Sequence, residues 1–111
     1  MAGKSIKLGE SHTLEFGYNA MCDAEEHFQR SLDEVFLELE DEASKFKHKK
    51  IIRGLIWAAL QENHPDITVK ETGKLIQEIG IDVVGEQLIK GLVLAYPDLI
   101  NEDGTVKKKP N

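Results

Sequence analysis

IIRGLIWAALQENHPD, residues 51–66, is the stretch on which the fold turns. Ile51, Ile52, Leu55, Ile56, Ala59 and Leu60 recur at spacings of three and four, which lays a broad apolar stripe along one helix. His64-Pro65 stops it, because a proline disfavours helical backbone in the residue before it. A stripe this wide belongs inside a core, and the remaining elements are expected to cover it.

Upstream, charge is segregated. Nine acids lie between Asp23 and Glu42 with only Arg30 among them, and Lys45, Lys47, Lys49, Lys50 and Arg53 follow at once. Such blocks read as two solvated helix faces that attract one another across a bend, or as surfaces that dock the opposite block on a neighbour or client. Within the acidic block, Ser31 and Glu34 have the spacing of a capping box, ahead of a short amphipathic helix carrying Leu32, Val35, Phe36 and Leu39. Before it, Asn19 is placed to cap a helix with Met21, Ala24 and Phe28 on one stripe, running to near Arg30. At the start, Ile6 and Leu8, then Leu14 and Phe16, alternate with polar neighbours, which predicts a hairpin. Paired strands must share a face, so the loop is Gly9, Glu10 and Ser11, setting Ile6 opposite Leu14.

Downstream, Thr68 and Glu71 form a second capping box before Leu75, Ile76 and Ile79, and Gly80 suits the left-handed position that closes that helix. Asp82 is then placed to cap a last helix with Val84, Leu88, Leu92 and Ala95 on one face, ended by Pro97. From Asp98 the chain turns polar and ends in Lys107, Lys108 and Lys109. The expected architecture is mainly α, an N-terminal β-hairpin followed by about five helices in one small α+β domain. That domain spans residues 5–97, with residues 98–111 as a flexible polar tail.

With 111 residues, 41% of them hydrophobic, the chain supports one core. Its formal charge of -6 repels phosphate backbones and anionic lipid, so neither nucleic acid nor membrane is an expected partner. Cys22 is the single cysteine, the first ten residues lack the apolar run of a secretory signal, and Leu92 to Tyr96 is too short to span a bilayer, which together lead to a cytoplasmic expectation.

Candidate chemistry is sparse. Cys22, Asp23, Glu26 and His27 cluster, but helix geometry divides them between two faces, and a buried small Cys beside an exposed Asp-His pair explains them better than a metal. His64-Pro65-Asp66 reads as stop punctuation, and neither catalytic residues nor a cofactor site are expected. The segment GKLIQEIGIDVVGEQLIKGL, residues 73–92, has the outline of a helix-turn-helix, yet its second helix offers Asp82, Glu86, Gln87 and Lys90, which suit a DNA groove poorly. Trp57 and the apolar girdle of the last helix belong mostly to a core, unless Ile89, Val93 and Tyr96 stay exposed as a protein-binding patch. The candidate protein-binding residues are therefore Ile89, Val93 and Tyr96, with Lys45, Lys49 and Glu38 from the charge blocks.

SIKLGESHTLEFGYNAMCDAEEHFQRSLDEV followed by IIRGLIWAALQENHPDITVKETGKLI resembles the tail assembly chaperones of long-tailed bacteriophages, prophages and gene transfer agents. The resemblance covers about residues 5 to 95 and lies in the order of its features. These are the hairpin running into Phe16, Tyr18, Asn19 and Ala20, the Glu25-Glu26 pair, the step from Ser31 to Val35, and Leu55, Trp57, Ala58 and Ala59 leading to His64-Pro65-Asp66. It implies a non-enzymatic protein, absent from the finished virion, that coats the tape measure protein while tail tube subunits assemble. It also implies binding without nucleotide or metal. In many members a ribosomal frameshift adds a segment that recruits the tube protein, and Lys107 to Lys109 are compatible with the A-rich codons such slippage favours. Many weak contacts suit a long helical client, so several copies per client and some self-association are expected. The alternative is a small regulatory adaptor whose degenerate helix-turn-helix contacts DNA or a transcription factor.

Overall fold

The computed structural model describes residues 4–39 and 48–101. Two antiparallel strands, β1 (Lys4–Leu8) and β2 (His12–Phe16), lead into α1 (Tyr18–Phe28), α2 (Leu32–Leu39), α3 (Lys49–Leu60), α4 (Val69–Ile79) and α5 (Ile81–Ala95). The fold is the small α+β domain expected from the sequence.

Side-chain parity sets the hairpin. Ile6 pairs with Leu14 and Leu8 with His12, leaving Gly9, Glu10 and Ser11 as the loop. Gly9 has φ 65°, the left-handed residue that a loop of this length demands. The apolar face, with Leu8 and Leu14 fully buried and Phe16 nearly so, rests on α5 and, through β2, on α3. An isolated hairpin is marginal in water, so this face is what holds the strands in place.

α3 is the hub, packed against α1, β2, α4 and α5. Ile51, Gly54, Leu55, Ile56, Ala58, Ala59 and Leu60 are all buried. Two glycines allow the closest approaches. A Cβ at Gly54 would lie 2.5 Å from Phe28 Cζ, and one at Gly91 on α5 would run into the Phe16 ring. Trp57 Nε1 and Gln61 Nε2 both donate to the Ile67 carbonyl, at 3.2 and 3.3 Å, tying the turn after α3 back onto it.

Helix ends follow the sequence in part. Thr68 and Glu71 form the full reciprocal box, with Oγ1 accepting from the Glu71 amide at 3.1 Å and the carboxylate from the Thr68 amide at 3.0 Å. At Ser31 one arm is present: the Glu34 amide donates to Ser31 Oγ at 3.4 Å, while the Leu32 amide donates to the Glu25 carboxylate at 2.9 Å. Glu25, one turn before the end of α1, thus caps α2.

Three local expectations are corrected. Asn19 does not cap α1; the helix begins at Tyr18 behind Gly17, whose carbonyl accepts the Met21 amide. α1 ends close to Arg30 as expected, where Gln29 turns left-handed at φ 58° and closes it. Gly80 has positive φ, 104°, but ψ 133° is extended, and Gly80 rather than Asp82 occupies the cap of α5. Finally, the domain does not end at 97: Leu99 and Ile100 amides return to the Tyr96 carbonyl at 3.0 Å, and Ile100 is 3% exposed. Pro97 ends the helix, but burial of Ile100 keeps the chain on the core. The remainder of the expected tail, residues 102–111 with the lysine run, lies outside the described residues.

A methyl at Gly91 would overlap the buried Phe16 ring, so Gly91→Ala should lower stability by about 1–3 kcal/mol, read as a reduced urea midpoint at unchanged m-value.

Candidate functional site: a cleft between three helices

α4 and α5 meet at Gly80 with no intervening loop, forming a corner against α3. In this corner opens a cleft of about 900 Å³. Its apolar lining comes from Leu39, Ile52, Ile76, Ile81, Leu88 and Ile89. Ile81 is 48% exposed, a large apolar side chain standing at the mouth.

The two rims carry opposite charge. On α3, Lys49 and Lys50 are exposed and Arg53 is half-buried; on α5, Asp82 and Glu86 are exposed one turn apart. Arg53 Nε is buried without a hydrogen-bond partner among the described residues. A guanidinium N–H left unpaired under cover is costly and is normally matched by an acceptor.

Two helix-interior glycines line the same cleft, Gly73 on α4 and Gly85 on α5. Glycine inside a helix costs roughly 0.5–1 kcal/mol relative to alanine. Gly54 and Gly91 are explained by the rings packed on them, and at Gly73 a Cβ would sit 3.4 Å from Arg53 Cδ. At Gly85 a Cβ would meet nothing within 4 Å among the described residues. Packing among the described residues therefore gives no reason for a glycine there.

Of the residues expected to bind a partner, Ile89 and Lys49 come together in this cleft. The patch of Ile89, Val93 and Tyr96 does not stand free, since all three are half-buried. Val93 and Tyr96 pack against the core, Tyr96 lies 6.2 Å from Phe36, and burial pushes its hydroxyl up to about 12. Glu38 faces back to Arg30 in an ion pair, so the acidic segment is partly neutralised from within. Lys45 lies outside the described residues.

Sequence reasoning missed Gly73, Gly85, Ile52, Ile76 and Ile81 as cleft residues and placed Asp82 as a helix cap and, with Glu86, as ill-suited to DNA. An isolated glycine within an apolar helical pattern was the available signal at Gly85.

The small clusters resolve differently. Cys22 is exposed, not buried, because the core-facing side of α1 is taken by Ala24, Met21 and Phe28. The His27 ring lies 5.0 Å from Phe28 and 5.4 Å from Trp57, so it packs on aromatics. Among the described residues no three His, Cys, Asp or Glu side chains come together as a metal site. A separate small pocket of about 10 Å³, beside Ala24, Leu55 and Tyr96, is room for one water at most and is lined almost wholly by apolar atoms. No helix among the described residues is long and apolar enough to cross a membrane.

Comparison of the chain with protein-family models, with characterised proteins and with solved structures finds no match.

His64 is more than a helix stop. Its Nε2 accepts the Thr13 amide at 3.2 Å, and its ring lies 4.7 Å from that of His12, so it ties β2 to the loop after α3. Burial, and then the neighbouring His12, hold its pKa below the ordinary histidine value. The unfolded chain therefore takes up this proton first, and stability should fall as pH drops from about 7 towards 5.5, above the carboxylate range. Thermal melts across this window check it; His64→Gln, which keeps an acceptor without a titrating ring, should flatten the slope.

Proposed function

We propose that this protein is a non-enzymatic assembly chaperone of a long-tailed phage or prophage, which holds a helical segment of the tape measure protein in the cleft between α3, α4 and α5. The observation that carries the reading is the cleft itself: an apolar floor of Ile52, Ile76, Leu88 and Ile89, open at Ile81 and edged by charge on both sides. Apolar side chains from facing helices with charged margins are what a groove for an amphipathic helix presents. The ordered resemblance of residues 5–95 to tail assembly chaperones supplies the class of client.

A tape measure is long, and each cleft covers only a few turns of helix. Coating it requires several copies, whose weak individual contacts add along one client. Self-association and a contact to the tail tube protein belong to the same proposal. Its place of action is the bacterial cytoplasm, before the virion is complete.

The adaptor alternative predicts retention of DNA that weakens steeply with salt. Asp82 and Glu86, exposed on the first turns of the helix that would read a groove, weigh against it.

The test is co-expression with the tape-measure-like reading frame, followed by size-exclusion chromatography with light scattering. A soluble complex with several copies per client is expected. Ile81→Glu, at a half-exposed position, should leave circular dichroism and melting nearly unchanged while abolishing the complex. A client that remains insoluble while the wild-type protein elutes alone contradicts the proposal.

A further inference from the structure

Gly85 and Arg53 present two unexplained features on opposite walls of one cleft. Gly85 gives up helix stability with nothing described above it, and Arg53 holds a buried N–H with no acceptor among the described residues. A partner helix lying along the cleft resolves both. Close approach of two helix backbones requires a residue without a side chain at the crossing, and a guanidinium beside Lys49 and Lys50 is completed by carboxylates.

We propose, resting on the helix-binding role given above, that a client helix crosses α5 at Gly85 in close backbone contact and turns an acidic edge toward Lys49, Lys50 and Arg53. The opposite rim, Asp82 and Glu86, then faces the basic or neutral edge of the same helix. Charge complementarity selects an occupant with acids along one flank of its apolar stripe. It also sets which way that helix lies, because reversing it would bring carboxylate against carboxylate on α5.

The probe is a synthetic amphipathic helix of about 20 residues, labelled for fluorescence anisotropy, with an Ala/Leu stripe, Glu along one flank and Lys along the other. A control peptide carries Gln in place of Glu. Gly85→Ala should raise the melting temperature and weaken binding of the Glu-flanked peptide about tenfold, which a purely structural glycine would not do. Arg53→Gln should narrow the difference between the Glu-flanked and the Gln-flanked peptide and lower the salt dependence of the former, with Lys49 and Lys50 keeping the remainder.

Other outcomes overturn the proposal in separable ways. A lower melting temperature in Gly85→Ala means another part of this chain packs there. A dimer of the free protein that Gly85→Ala dissolves means a second copy is the occupant. A higher melting temperature with unchanged affinity removes the close crossing. Equal binding of both peptides, unaffected by Arg53→Gln, removes the carboxylate contact while leaving the cleft as a helix seat. Failure of both peptides to bind removes the cleft itself. If the co-expressed client is nevertheless retained, the chaperone role survives on a different surface.

Discussion

Everything else in this domain depends on covering α3. Its buried residues, Ile51, Leu55, Ile56, Ala58, Ala59 and Leu60, spread over so much of its circumference that no single neighbour shields them. α1, β2, α4 and α5 all pack on it. In a small domain the apolar area removed from water must offset the entropy of ordering the chain, so a helix of this kind determines where its neighbours go.

The cover is tight at one end of α3 and open at the other. Towards its middle, Gly54 admits Phe28, while on α5 Gly91 admits the Phe16 ring, and the hairpin is pinned between the two helices. Towards its start, Ile52 and Arg53 face a cleft because α4 and α5 part company at Gly80. The same chain thus contains two kinds of helical glycine. Gly54 and Gly91 hold neighbours already present, and Gly85 has none of the described residues above it. This contrast, more than the size of the opening, is the observation on which the proposed helix seat rests.

Much of the architecture was legible in the sequence because it follows from local rules. Strand parity gave the three-residue loop and the pairing of Ile6 with Leu14, and the Thr68-Glu71 spacing gave a full capping box. The caps at Asn19 and Asp82 failed because a glycine two residues earlier, Gly17 or Gly80, took the terminal position. Ile100 looked like part of a polar tail, and its burial depends on a turn at Tyr96 that brings it back to the core. The cleft was only half visible. Ile89 and Lys49 were picked out from the apolar girdle and the basic block, but Val93 and Tyr96, from the same girdle, pack inward. What separates them is the placement of α5 against α3, α4 and the hairpin, a long-range property that helical periodicity does not encode.

Acidic overall charge, an open cleft with a basic and an acidic rim, and the resemblance to tail assembly chaperones converge on one proposed task, the transient covering of a helical client. Hydrogen–deuterium exchange of the protein with and without its co-purified tape measure partner tests that claim most directly. The account predicts slowed exchange in the first half of α3, the middle of α4 and the first half of α5, around Lys49 to Arg53, Gly73 to Gln77 and Ile81 to Ile89. Protection confined to the hairpin, or to the surfaces around the exposed Tyr18 and Leu37, would contradict it.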